Sequence, residues 1–156
     1  NRRYMETHLA TLTEQAAAKR KPLTLMMLDI DYFKSINDTH GHDAGDDVLR
    51  EFAVRIRKSI RGIDLACRLG GEEFVVVMPE TDISIAAMVA ERLRRSIAND
   101  PFAIEGGGKK VDVTISIGLA GLEGPNESAR ELLKRADQAL YQAKRDGRNR
   151  VVSAAA

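Results

Sequence analysis

The chain has 156 residues, 44% of them hydrophobic and 30% charged, with a formal net charge of +1. That length fits one domain with a full-sized core, and the near-neutral charge leaves no basic field for bulk nucleic-acid binding. Aromatic residues make up 4% and Trp is absent, so platforms for stacking single strands are missing as well.

Cys67 is the single cysteine, which excludes an internal disulfide and favours a reducing compartment. No apolar run is long enough to span a bilayer, and no signal peptide is visible. The chain begins with Asn1 and ends in three alanines. We expect a single domain over residues 1–156, cut from a longer multidomain protein.

Met5, Leu9, Leu12 and Ala16 recur at helical spacing and predict an amphipathic helix over residues 2–19, broken before Pro22. "LTLMMLDI" (residues 23–30) is a nearly continuous apolar run ending in acids, the pattern of a strand buried on both faces. Residues 37–45 are polar and turn-rich. Val48, Leu49, Phe52, Ile56 and Ile60 form the stripe of the next helix. "IDLACRL" and "EFVVVM" flank Gly70-Gly71, as in a hairpin with a two-residue turn. Ala86, Val89, Ala90, Leu93 and Ile97 make another helical stripe. "FAI" and "VDVTISIGLA" read as strands around a "GGGKK" turn. Leu133, Ala136, Leu140 and Ala143 mark the last long helix, closing near Gly147, and a short "VV" follows. Hairpins mixed with helices predict an α/β sandwich with a mixed, largely antiparallel central sheet, not a doubly wound parallel one.

Two pairs of acids carry the chemistry. Asp29 and Asp31 end the first strand at i and i+2, so they point to the same side of an extended chain. They are either exposed turn acids that cap the next helix or buried acids, which must be paired or bound to a cation. Glu72 and Glu73 follow the glycine turn. If the hairpin pairs beside the first strand, Asp29 and Glu72 converge at one edge, and such hard oxygen ligands suit Mg²⁺ shared with substrate phosphates. Gly70 and Gly71 would let a bulky ligand approach the backbone.

No G-x-x-x-x-G-K-[ST] loop exists to hold phosphate, and "GGGKK" is a plain hairpin. The free N–H groups of a short helix beginning at Tyr32-Phe33-Lys34 can do so instead. Lys144 and Arg148 would add positive charge there, or else only complement the C-terminal dipole of their own helix.

These residues bring a family into view. "RLGGEEF" resembles the signature of GGDEF-domain diguanylate cyclases, in a variant with Glu as its third letter. "LDIDYFKSINDTHGHDAGDDVL" resembles the family's first strand, phosphate loop and guanine-binding segment, and "VTISIGLA" and "LLKRADQALYQAKRDGRN" its later strand and last helix. The likeness covers nearly the whole chain, in the family's order. Of the family's N-terminal D-x-L-T-x-L-x-N-R-R motif only Asn1-Arg2-Arg3 is present.

The resemblance implies a nucleotidyl-cyclase or palm-like fold. It implies that Asp29, the carbonyl of Ile30 and Glu72 bind Mg²⁺ or Mn²⁺. It assigns guanine to Asn37 and Asp46, and the triphosphate to Tyr32, Phe33, Lys34, Lys144 and Arg148, with Gly71 beside the nucleotide. A carboxylate such as Asp46 can accept guanine's N1 and N2 donors together, and an Asn offers both a donor and an acceptor. Adenine lacks that donor pair, so GTP is favoured. The implied reaction joins two GTP into cyclic di-GMP on a two-fold homodimer, with Glu72 and Glu73 as the candidate proton acceptors. An upstream sensory or receiver domain would bring the copies together in the cytoplasm of a bacterium.

"RGID" (residues 61–64), with five residues between it and Gly70, resembles the family's R-x-x-D product-inhibition motif through Arg61 and Asp64, with Arg92 as a further ligand of cyclic di-GMP. Taken alone, Arg61 and Asp64 also fit a local salt bridge at a helix end, and Arg92 an exposed helix charge. The rival to an active enzyme is a catalytically silent module that senses GTP or cyclic di-GMP. A palm-like polymerase or adenylyl cyclase relative is a third alternative, disfavoured by the Asn37 and Asp46 pair and by the near-neutral charge.

Overall fold

The computed structural model describes residues 2–155; Asn1, part of the N-terminal motif above, lies outside them. The elements run α1 (Arg2–Lys19), β1 (Leu23–Ile30), α2 (Phe33–His40), α3 (His42–Ser59), β2 (Leu65–Gly70), β3 (Glu73–Pro79), α4 (Ile83–Asn99), β4 (Phe102–Ile104), β5 (Lys109–Val111), β6 (Ile115–Gly121), α5 (Ala129–Arg145) and β7 (Arg150–Ser153). The main sheet has the order β2-β3-β1-β6-β7. Its first three ladders are antiparallel and only β6–β7 is parallel, so the mixed, largely antiparallel α/β sandwich is the fold observed.

β1 is central, and all eight of its residues are buried. Its alternation feeds two cores. Met26, Leu28 and Ile30 face α3 and α4 with Val48, Phe52, Ala90 and Leu93. Leu25 and Met27 face α1 and α5 with Met5, Leu9, Leu132 and Ala136. Each of these side chains except the two alanines contributes about 1.5–3 kcal/mol by leaving water. The α5 helix lies tight on β6 because position 118 is glycine: a methyl there would lie 2.8 Å from the carbonyl carbon of Ala139 and overlap the backbone of Leu140. That close packing fixes where the end of α5, and Lys144 with it, meets the end of β1.

Three local expectations need correction. Residues 37–45 are not an extended turn region: α2 and α3 are separated by Gly41 alone, whose N–H donates to the Asn37 carbonyl at 2.8 Å. "VDVTISIGLA" is not one strand. It breaks at residues 112–114, because Thr114 is tied to Asp31 through both backbone and side chain, leaving β5 to pair with β4 in a separate two-stranded sheet. The hairpin turn is not Gly70-Gly71. Leu69 is an extra residue between the pairs Arg68↔Phe74 and Gly70↔Glu73, so the turn is Gly71-Glu72 and Glu72 sits at its tip. The backbone has φ 153° at Gly70 and 52° at Gly71, values that L side chains rarely adopt. Among the described residues no helix is long and apolar enough to cross a membrane.

Candidate active site

The antiparallel β1–β3 pairing brings Asp29 opposite Glu73, and thereby the turn residue Glu72 to the end of the first strand. A cleft of ≈ 480 Å³ opens there, lined by Asp29, Ile30, Tyr32, Phe33, Lys34, Ser35, Asp38, Glu72, Lys144 and Arg148. The candidate metal and triphosphate residues thus share one cleft, with Ser35 and Asp38 added by the turn of α2.

Asp29 is buried, its Oδ2 in contact with Lys144 Nζ and its Oδ1 without any partner. Burial pushes its carboxyl up to about 6; the hydrogen bond and charge of Lys144 pull it down, while Glu72 and Glu73 push it up further. A buried carboxylate oxygen without a donor, beside two more carboxylates, is a place that a cation relieves. The residues fit Mg²⁺, which is held by one or two carboxylates and completes its shell with phosphates and water. Among the described residues there is no preformed cluster of three His, Cys, Asp or Glu side chains.

Asp31 is not an exposed turn acid. It is buried and accepts from Thr114 Oγ1 at 2.8 Å, Ser116 Oγ at 2.7 Å and the Asn149 N–H at 2.9 Å. Arg148 Nη1 lies 3.9 Å from it, and the Arg148 guanidinium stands 4.8 Å from the centre of the Tyr32 ring. Tyr32, Arg148 and Asn149 all have left-handed backbones, with φ of 56°, 65° and 48°. Strained residues gathered around one cleft are a common mark of function. Asp31 therefore positions Arg148. The sequence carried half of this, the i, i+2 acids, but its partners lie 83 to 118 residues away.

Tyr32 starts α2 without a side-chain cap, so the first N–H groups of the helix are free to face an anion. Lys34 reaches into solvent and lies 3.5 Å from Asp38. The other glutamate behaves differently from Glu72. Glu73 Oε1 accepts from Arg2 Nη2 at 3.0 Å, and Arg2 Nη1 lies 3.6 Å from Asp137. Burial and the Asp137 charge raise the Glu73 carboxyl against the pull of Arg2 and Lys144.

Asp46 lies outside this cleft, in a groove of ≈ 380 Å³ between α3 and β2 that also includes Leu49, Arg50, Cys67 and Phe74. The Asn37 amide oxygen is buried without a hydrogen-bond partner. On the other side of the domain, Arg61 and Asp64 pair with each other: Arg61 Nη2 is 2.9 Å from Asp64 Oδ1, and also 3.0 Å from the Pro79 carbonyl. Arg92 Nη2 reaches the Ser59 carbonyl at 3.4 Å, at the end of α3 just before Arg61.

The chain matches the family described as "Diguanylate cyclase, GGDEF domain" over residues 1–150. It is 50% identical to the response regulator PleD of Caulobacter vibrioides over 156 residues, which is 100% of this chain and 34% of that protein. The chain thus spans about a third of the length of this curated relative. It superposes on the GGDEF domain of DgcB from Caulobacter crescentus, solved in complex with c-di-GMP, with a TM-score of 0.94 at 35% identity, covering 100% of this chain and 89% of that one. An active GGEEF domain of a diguanylate cyclase from Vibrio cholerae gives a TM-score of 0.90 at 35% identity, covering 100% and 97%.

Proposed function

The chain belongs to the diguanylate cyclase family of GGDEF domains, and from that membership we propose that it condenses two GTP into cyclic di-GMP and two pyrophosphates. The observation that carries the reading is the cleft at the end of β1. It combines a buried carboxylate with an unpartnered oxygen, an uncapped helix start and the cations Lys144 and Arg148. Each ribose 3′-oxygen attacks the α-phosphorus of the other GTP, the bond to the β-phosphate oxygen breaks, and the 3′-hydroxyl proton leaves to a base.

Asp29 and Glu72, with the carbonyl of Ile30, would hold Mg²⁺ or Mn²⁺. When bound, the metal lowers the pKa of the attacking hydroxyl and neutralises phosphate charge. The N–H groups at Phe33 and Lys34 cradle the triphosphate oxygens. Lys144 and Arg148 neutralise the pyrophosphate as it leaves. Glu72, which pairs with no cation among the described residues, takes the proton. Glu73 is engaged by Arg2 and holds the hairpin in place. Asp46 and Asn37 accept the guanine donors, and Gly71 leaves the turn open beside the nucleotide.

Each domain holds one GTP, so turnover needs two copies facing each other about a two-fold axis. A sensory or receiver domain upstream sets that encounter, in the cytoplasm where GTP is found. Product binding at Arg61, Asp64 and Arg92, away from the cleft, opposes it. Incubation with GTP and Mg²⁺ followed by mass identification of the product tests the reading. GTP binding without cyclic di-GMP would assign the chain to silent sensing modules instead.

A further inference from the structure

Position 45 breaks two local rules at one contact. Gly45 is buried inside α3 with an ordinary helical backbone, where glycine is destabilising relative to alanine and no turn requires it. A methyl group there would overlap the amide oxygen of Asn37, and would lie 2.9 Å from Asn37 Cγ and 3.2 Å from Phe33 Cζ. That same amide oxygen is the buried acceptor without a donor, also an unfavourable choice when nothing binds it. Unfavourable local choices that coincide are expected at functional positions.

The backbone of Asn37 is fixed by the Gly41 N–H. Its side chain is fixed by no hydrogen bond to its oxygen, only by the space that Gly45 leaves. Asp46, the next residue along, is exposed beside its groove. We infer that Gly45 is a specificity-determining position: the absent side chain lets the Asn37 amide rest against α3, one residue along the helix from Asp46, and so sets the orientation of the amide that, with Asp46, reads the donor edge of a purine carrying adjacent N–H groups. Guanine has that edge. Hypoxanthine lacks the 2-amino donor and adenine pairs its single donor with an acceptor. The inference rests on the cyclase reading for the identity of the ligand, and on the contact alone for the role of Gly45.

Two measurements on wild type, Gly45→Ala, Asn37→Ala and the double variant test it. In calorimetric titrations with 3′-deoxy-GTP and 3′-deoxyinosine triphosphate, neither of which can react, Gly45→Ala should lose about tenfold in guanine affinity. Its preference over hypoxanthine should shrink to that of Asn37→Ala, and the double variant should lose nothing more. Without nucleotide, Gly45→Ala should lower the melting temperature in wild type but not in the Asn37→Ala background. A Gly45→Ala protein that binds and discriminates like wild type overturns the inference, and so does equal destabilisation in both backgrounds. A wild type that binds neither nucleotide overturns instead the cyclase reading, while the melting comparison still decides whether Gly45 acts through Asn37.

Discussion

Asp29 and Glu73 stand directly opposite each other across the β1–β3 ladder, yet different cations hold them, Lys144 of α5 for Asp29 and Arg2 of α1 for Glu73. Two like charges facing across a ladder repel. Here each is drawn to its own partner, and the hairpin that carries Glu72 is tied to the first turn of α1.

That tie is measurable. Arg2 and Glu73 are both part-exposed, 44% and 31% at the side chain, so the pair contributes about 0.5–1 kcal/mol. Arg2→Ala and Glu73→Gln should each cost about that much in urea denaturation, and the double variant no more than either alone. Fully additive losses would show that the two do not act together.

The orphan oxygen of Asp29 predicts a cation effect. With 3′-deoxy-GTP present, Mg²⁺ should raise the melting temperature beyond what nucleotide alone achieves. Asp29→Asn should abolish that increment and lower turnover by roughly 100-fold or more. An undiminished Mg²⁺ increment in Asp29→Asn would remove Asp29 from the metal site.

Arg61 is held by Asp64, Pro79 and Thr81, and the proposed product site at Arg61 predicts a separable effect on inhibition. Arg61→Ala should leave the initial rate intact and remove inhibition by added cyclic di-GMP. It also leaves the buried Asp64 carboxylate short of its partner, at about 1–3 kcal/mol, so rates should be read well below the melting temperature. Inhibition unchanged in Arg61→Ala would exclude this site.

The domain should lose a small part of its stability in acid. Arg94 and Arg95 hold the Glu91 carboxyl down at about 2 against the effect of burial. Arg94 also donates to Asn149, whose N–H in turn supports Asp31. A depressed carboxyl stabilises the fold fully above its ordinary value near 4.5 and loses that contribution as pH falls towards 2. Glu91 is 37% exposed at the side chain, so solvent screening keeps the effect to about 0.5 kcal/mol. The melting temperatures of wild type and Glu91→Gln should therefore differ at pH 7 and converge as pH approaches 2. A gap that persists there would trace to packing rather than charge.

The sheet was legible wherever burial wrote itself into the pattern. β1, buried on both faces, reads as an unbroken apolar run, and the stripes of α3, α4 and α5 fall where Phe52, Leu93 and Leu140 pack. What was not legible depends on contacts remote in sequence. The break between β5 and β6 follows from Thr114 bonding Asp31. The shift of the turn to Gly71-Glu72 follows from the bulge at Leu69, which no turn propensity signals. In the cleft, the acids, the helix start and the basic pair were each visible as residue types. The engagement of Glu73 was not, because it comes from Arg2 across 71 residues.

The central claim is that two copies, each holding one GTP, make cyclic di-GMP at this cleft. The most direct measurement is the initial rate of cyclic di-GMP formation, identified by mass, as a function of protein concentration with saturating GTP and Mg²⁺. While the copies are mostly monomeric, the rate should rise with the square of concentration, and Glu72→Gln should abolish it. Absence of cyclic di-GMP at concentrations where the chain is dimeric would contradict the account.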